Sequence, residues 1–362
     1  MNSSPLTFKL KSSTSTKYSL LDRAGFVSSV KSIDYPIFIV DENVANAQAE
    51  LIKSLCDSSP TFITSISEEK KTIEKVLEII DFLIERQATR QHTLIAIGGG
   101  VLLDTVGYAA SIYKRGMRTV FIPTSLVAMI DASIGGKTGI NYRDIKNLAG
   151  TFYPAKEILV LPDFLLTLPP LEWKNGLAEL IKISFVEPNI LYDTLNRYFE
   201  QLNSDNKVDA IQLLVDKEII LLSAELKGKL CEADLLDLQE RRKLNLGHTF
   251  AHVIESATNY LIPHGIAVSI GIRAAAQLSV ELKLCKPEVV DKVSALLNLY
   301  GFPERLNISQ LSLILSKGKE LFAMDKKGSA KGLRLILFKQ LQEVEVIEGV
   351  DATQAINALA SL

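Results

Sequence analysis

Residues 93–104 read TLIAIGGGVLLD, and this stretch decides the fold. Thr93 to Ile97 are β-branched or apolar, as in a strand buried on both faces. Gly98, Gly99 and Gly100 then turn the chain, and Val101 to Asp104 open a helix. Strand, glycine turn and helix N-terminus in succession aim free backbone N–H groups at one place, where a phosphate can approach closely. The pattern is not the GxGxxG fingerprint, and a glycine turn at a strand end is also an ordinary way to reverse direction.

Working outward, residues 36–40, 61–66, 119–122 and 158–161 have the same β-branched, apolar character and predict further strands. Helices are predicted between them over about 44–56, 68–87 and 103–115. In the second of these, Ile73, Val76, Leu77, Ile80 and Leu83 recur at helical spacing. This alternation predicts a Rossmann-like α/β unit, a parallel sheet with helices on both faces and ligands at the carboxyl ends of the strands. Asp41 follows the first strand, where a carboxylate could accept from ribose hydroxyls. Glu68 and Lys71 follow the next and could flank the same cofactor. Each is equally an ordinary solvated charge.

From about Thr167 the pattern becomes mostly helical, over 170–186, 189–201, 207–229, 244–259, 265–283 and 287–300. Leu333 to Phe338 and Glu343 to Ile347 predict a small hairpin. The expected division is an α/β nucleotide-binding domain over 1–166 and a mostly α-helical domain over 167–362, with the active site in the cleft between them.

The chain holds four histidines, and three fall together: His248, His252 and His264. His248 and His252 are four apart on a predicted helix and share a face. His264 stands in a Pro-His-Gly turn before the next helix. Imidazole is a common zinc ligand. Glu179, in a largely apolar helical stretch where an unpaired carboxylate is costly, is a candidate third ligand, with Lys182 on the same face. Spacing alone does not decide which two histidines would bind a metal, and such a pair can also be purely structural.

Residues 131–141 read DASIGGKTGIN. The end looks like a Walker loop, but the full GxxxxGK[ST] is absent, so no ATPase is inferred. Lys137 in a glycine turn, with Lys146 and Asn147 shortly after, suits an anion cradle; Arg115 is a further candidate. A tight turn with solvated lysines is the plainer alternative.

Forty basic residues nearly balance forty-two acidic ones, for a net charge of −2. That gives no general pull toward nucleic acid or membrane. Cys56, Cys231 and Cys285 are scattered, as expected in a reducing compartment without disulfides. The first residues lack the apolar run of a secretory signal. The longest apolar stretch, 119–132, is interrupted by Pro123 and Asp131 and is too short to span a bilayer. A cytoplasmic protein is expected.

Seven segments carry a resemblance. They are GGGVLLDTVGYAASIYKRG from Gly98, PTSLVAMIDASIGGKTGIN from Pro123, KNLAGTFYP from Lys146, TLPPLEWKNGLAELIK from Thr167, KLNLGHTFAHVIE from Lys243, PHGIAV from Pro263 and MDKKG from Met324. In order and spacing they resemble the 3-dehydroquinate synthase family of sugar-phosphate cyclases, over about Asp41 to Lys327. The resemblance implies NAD, a divalent metal (Zn or Co), a homodimer and a small sugar-phosphate substrate, with no nucleic acid or membrane partner. It places the metal on Glu179, His248 and His264. It places the cofactor on Asp41, Asn43, Glu68, Lys71, Gly99, Gly100, Asp104, Thr124, Lys146, Thr167 and Leu168. Asp131, Lys137, Asn147, Lys182, Lys227, Arg241, Asn245 and His252 would face the substrate, His252 at its phosphate. Lys326 or Lys327 would join them, and Arg115 would reach in from a second copy.

The reaction implied converts 3-deoxy-D-arabino-heptulosonate 7-phosphate to 3-dehydroquinate and phosphate, in the shikimate pathway of aromatic amino acid biosynthesis. It combines oxidation of a ring hydroxyl, phosphate elimination, re-reduction and an intramolecular aldol closure. Leu103, Lys114, Ala251 and Ile266 depart from the commonest family pattern, and Asp237 stands near the place of a usual glutamate. Retention of His252 and of Lys146-Asn147 favours the dehydroquinate reaction over the sedoheptulose-phosphate cyclases. The alternatives are a deoxy-inosose or aminated-dehydroquinate cyclase, a metal-dependent polyol dehydrogenase, or a non-catalytic paralogue.

Overall fold

The computed structural model describes residues 6–9, 15–143, 145–201, 217–325 and 332–362. The chain falls into two compact units. The first comprises 1–169 together with 215–236, and the second 170–214 with 237–362. The helix Lys217–Ala233 thus returns to the first unit after the chain has entered the second. Nothing in the local sequence pattern announces that return.

The first unit is built on a seven-stranded sheet. Its strands are β1 (Leu6–Lys9), β2 (Ser15–Leu20), β3 (Pro36–Asp41), β4 (Thr61–Thr64), β5 (Thr93–Gly98), β6 (Arg118–Pro123) and β9 (Glu157–Val160), in the order β1-β2-β9-β6-β5-β3-β4. All pairings are parallel except β1 with β2. Every residue of β5 is buried, as its unbroken apolar run requires in a strand covered on both faces. From β3 the chain steps outward to β4 and then back to β5 on the other side. The order therefore reverses between β3 and β5, the crevice where open α/β sheets take their ligands. Asp41 ends β3 and Gly98 ends β5. A Cβ on Gly98 would lie 2.5 Å from Leu102 Cδ2 and 3.0 Å from Leu102 Cβ, so a larger residue there would force Leu102 to shift.

The predicted strands are all present, but several helix bounds shift. The helix expected from 103 begins at Gly100 and ends at Ile112, followed by a tight turn over Tyr113–Arg115 with Lys114 and Arg115 at positive φ. The helix expected over 44–56 is two helices, Glu42–Ala47 and Ala49–Cys56, broken at Gln48. That expected from 68 begins at Ile73, after a separate turn at Glu68–Lys70. The expected 207–229 helix lies partly outside the described residues.

The second glycine stretch is not an open loop. It forms an antiparallel hairpin of β7 (Lys137–Tyr142) and β8 (Ile145–Phe152). Glycine normally argues against a strand, but here it permits one. A Cβ on Gly150 would lie 2.2 Å from Thr138 O, and one on Gly139 would lie 2.7 Å from Ala149 O.

The second unit is mostly helical, with a hairpin of β10 (Leu333–Gln340) and β11 (Glu343–Val350). Its centre is the helix His264–Glu281, buried on nearly every side, as a core helix must be. Small residues let neighbours approach it closely. A Cβ on Gly271 would lie 2.1 Å from Gly247 O, and Gly247 itself has φ of 77°. That contact seats the N-terminus of the helix His248–Ala257 against the core helix. Sequence periodicity missed the helices Ile308–Asp325 and Ala352–Ala360.

Candidate active site

Three side chains of the second unit converge. Glu179, on the helix Pro170–Ser184, is 2 % exposed. Its Oε1 lies 3.1 Å from His264 Nε2 and 3.4 Å from His248 Nε2. The three ligand-capable atoms all lie within 4.8 Å of one another. A tetrahedral ion with ligand bonds near 2.0–2.1 Å would space its ligand atoms by about 3.3–3.4 Å. The two separations from Glu179 Oε1 match that spacing, and three such ligands would leave a fourth position open.

The approach is imposed by the chain around it. Asn175 lies four residues before Glu179 on the same helix face, and its Oδ1 accepts the amide of Gly265 at 2.8 Å. A side chain at Gly265 would strike the backbone of Asn175, 2.7 Å away. His264 is therefore the first residue of a docked helix rather than part of a free turn. His264 Nδ1 lies 3.1 Å from Glu255 Oε1, and Glu255 is 3 % exposed. A carboxylate on the far nitrogen fixes ring orientation and raises ligand basicity. Sequence reading did not single out Glu255, although it lies inside KLNLGHTFAHVIE.

Electrostatics bind the group together. Burial would raise the Glu179 carboxyl, but Lys182 and the two imidazoles hold it well below the usual range. Lys182, nearly fully buried, makes an ion pair with Glu179. Burial opposes a charge on His264, but hydrogen bonds and attraction from Glu179 and Glu255 outweigh it and raise its pKa to about 10. His252 is exposed, its ring 5.8 Å from that of His248. It lines a cavity of about 280 Å³ with Asn245, His248, Thr249, Arg242 and Arg334. The last two were not anticipated from sequence. Arg241 is buried. Lys326 and Lys327 lie outside the described residues.

In the first unit, Gly99 caps the helix Gly100–Ile112 with no side chain accepting its first amides. A Cβ on Gly100 would press on Ala132 at 3.1 Å, whereas one on Gly99 would meet only Ser125 Oγ at 3.7 Å, so it is the Gly99 side of the turn that is open. Thr124 N donates to Gly98 O at 3.0 Å, tying the β6 end to this turn. Asp41 is half-buried, and its Oδ1 accepts the amide of Asn43 at 2.8 Å. Burial raises its pKa despite those bonds. Thr167 Oγ1 accepts from Gln48 at 3.1 Å, and Leu168 N donates to Leu165 O.

Lys71 is 3 % exposed, and its Nζ lies 2.6 Å from both Asp104 Oδ2 and Asn147 Oδ1. Burial, with Glu68 and Asp131 adding to it, raises the Asp104 carboxyl against the opposing pull of Lys71. Glu68 accepts from Asn141, a residue that sequence reading passed over. Asp131, within the π-helical turn Ala128–Ala132, pairs with Lys227 of the returning helix. Lys137 and Arg115 are exposed and Lys146 is half-buried.

The sequence models of two families match, "3-dehydroquinate synthase N-terminal" over residues 61–175 and "3-dehydroquinate synthase C-terminal" over 176–328. A 3-dehydroquinate synthase of Sulfurovum sp. is 38% identical over 293 residues, covering 81% of this chain and 80% of that one. One of Campylobacter fetus subsp. fetus is 34% identical over 340 residues, covering 92% and 94%. The solved structure of ValA, a 2-epi-5-epi-valiolone synthase from Streptomyces hygroscopicus subsp. jinggangensis with NAD+ and Zn2+ bound, superposes with a TM-score of 0.80. It is 26% identical and covers 95% of this chain and 96% of its own. Fold and site together define the sugar-phosphate cyclase class. Within that class, the chain belongs to the 3-dehydroquinate synthase family.

Proposed function

We propose that the protein converts 3-deoxy-D-arabino-heptulosonate 7-phosphate to 3-dehydroquinate and phosphate, as a carbon–oxygen lyase of the shikimate pathway. The observation that carries this reading is the convergence of Glu179, His248 and His264, in a chain whose relatives of matching length are 3-dehydroquinate synthases. These three residues would hold a zinc-type divalent ion, Zn or Co. Asp41, Asn43, Glu68, Lys71, Gly99, Gly100, Asp104, Thr124, Lys146, Thr167 and Leu168 would surround NAD, with its pyrophosphate over the glycine turn. When bound, NAD supplies reversible oxidation of a ring hydroxyl, and the metal supplies Lewis-acid polarisation of that hydroxyl.

The chain's own side chains do the rest. His252 and Asn245 line one cavity beside the metal cluster, which suits them to hold the leaving phosphate. Lys182, Lys227 and Arg241 are cations kept almost entirely out of water. Such fixed donors stabilise developing negative charge more strongly than solvated ones. Lys182 and Lys227 are each paired with a carboxylate, Glu179 and Asp131, which holds their ammonium groups in place. Asp131, Lys137 and Asn147 complete the substrate-facing set.

We propose a homodimer in which Arg115 of one copy serves the site of the other. Ile112, Tyr142, Ile145, Leu148 and Phe152, on the helix before Arg115 and on the β7–β8 hairpin, are large apolar residues left exposed in the single chain, which supports such a contact. We place the protein in the cytoplasm. No described helix is long and apolar enough to cross a membrane, and the three cysteines are free.

The test is to incubate the protein with the seven-carbon phosphate, a divalent metal and catalytic NAD. Inorganic phosphate should accumulate without net NADH. Net NADH from a simple polyol would point instead to a dehydrogenase, and phosphate release only from substrates lacking the carboxylate would point to another cyclase.

A further inference from the structure

We propose that Asn141 is a positioning residue that locks the Glu68–Lys71 segment to the β7–β8 hairpin, setting the cofactor-facing and substrate-facing residues of the first unit as one piece. The roles at either end of this lock rest on the function proposed above; the lock itself is read from geometry.

Asn141 spans the two segments through its backbone N–H, both side-chain N–H groups and its side-chain oxygen. Its backbone N–H donates to Lys71 O at 2.8 Å. Its Nδ2 donates to Glu68 O at 3.0 Å and to Glu68 Oε1 at 2.8 Å. Its Oδ1 accepts the amide of Asn147 at 2.8 Å. Lys71 Nζ closes the circuit by reaching Asn147 Oδ1 and Asp104 Oδ2, both at 2.6 Å. The chain separations, 73 residues to Glu68 and 6 to Asn147, show that this is not a local turn bond alone.

The backbone around Asn141 is shaped for this. The β7–β8 ladder loses its regular register between Ile140 and Tyr142. Such irregularities re-aim a side chain that would otherwise follow the strand alternation. Asn147 has φ of 54°, in the left-handed region that asparagine enters more readily than most side-chain-bearing residues. In that conformation its amide meets Asn141 and its side chain meets Lys71. Only an amide meets both demands at position 141, since it donates to Glu68 and accepts from Asn147. Aspartate would keep the acceptor, lose the two donated bonds and set a second carboxylate against Glu68.

The experiment compares Asn141→Asp and Asn141→Ala with wild type in three measurements: NAD binding by calorimetry, steady-state kcat and KM, and amide hydrogen exchange resolved by peptide. NAD affinity should fall roughly tenfold, and kcat/KM by about ten- to a hundredfold. Amides of 66–72 and of 145–150 should lose protection together, while the β5 and β6 core stays protected. Loss of protection confined to the hairpin, with NAD affinity unchanged, would overturn the proposal. If Asn141→Ala does not fold, Asn141→Asp carries the test, because it preserves size and the bond from Asn147. If wild type itself binds no NAD, the proposed function falls, and the paired exchange of the two segments still decides the role of Asn141.

Discussion

Glu179 Oε1 lies 3.1 Å from His264 Nε2 across 85 residues of chain. One docking contact produces that approach, Asn175 to the amide of Gly265, and a second, Gly271 against Gly247, seats His248 beside the pair. The site is thus a consequence of how the core helix of the second unit is packed.

Glu255 orients His264 from behind, through the nitrogen not facing Glu179. Glu255→Gln keeps the shape and removes the charge. Metal affinity should fall by about ten- to a hundredfold, measured by competition with a chromophoric chelator. An unchanged affinity would mean that the contact is only structural.

His264 holds its proton up to about pH 10 because the attraction of Glu179 and Glu255 outweighs the burial cost of the charge. A metal ligand needs that nitrogen free. Below about pH 10, metal uptake by chelator-stripped protein must therefore expel a proton, and apparent affinity should rise with pH toward that value. Calorimetry at pH 8 in two buffers of different ionisation enthalpy should show the release. In the stripped protein, the stabilisation from charged His264 is fully present below about 6.5 and is lost as pH rises through about 10.

Lys182→Met removes the buried partner of Glu179. Breaking such a pair leaves a charge uncompensated, at a cost of about 3–5 kcal/mol. His264 remains beside Glu179, which favours the lower end. Denaturant unfolding of stripped protein should show the loss, and added metal should recover part of it.

Gly271→Ala places a methyl where Gly247 O lies 2.1 Å away. The helix that begins at His248 must then move. Overpacking of this kind costs about 1–3 kcal/mol, and metal affinity should fall with it. A variant with a lower melting point but wild-type metal affinity would show that His248 is held by other contacts.

Five of the seven strands were legible because they are apolar, β-branched runs, three of them ended by Asp41, Gly98 and Pro123, whereas β1 and β2, LTFK and STKYSL, carry too many polar residues to stand out. Crowding of three of four histidines and an acid in an apolar helix marked Glu179, His248, His252 and His264 as candidates, but which two imidazoles meet Glu179 was not legible from spacing and came only from the resemblance. The β7–β8 hairpin was not legible either, because Gly139 and Gly150 look like strand breakers until the close backbone approach they allow is seen. Glu255 and Asn141 were missed for a related reason. Their roles lie in partners 9 and 73 residues away, and no periodicity encodes such distances. The return of Lys217–Ala233 to the first unit, which brings Lys227 to Asp131, is likewise a property of the folded chain alone.

The most direct measurement is a cobalt(II) titration of chelator-stripped protein, wild type beside Glu179→Gln and His264→Ala, followed by the visible absorption of the bound ion. Wild type should bind one equivalent with the intense bands of low-coordinate cobalt, and both variants should lose tight binding. Full occupancy with an unchanged spectrum in either variant would contradict the account.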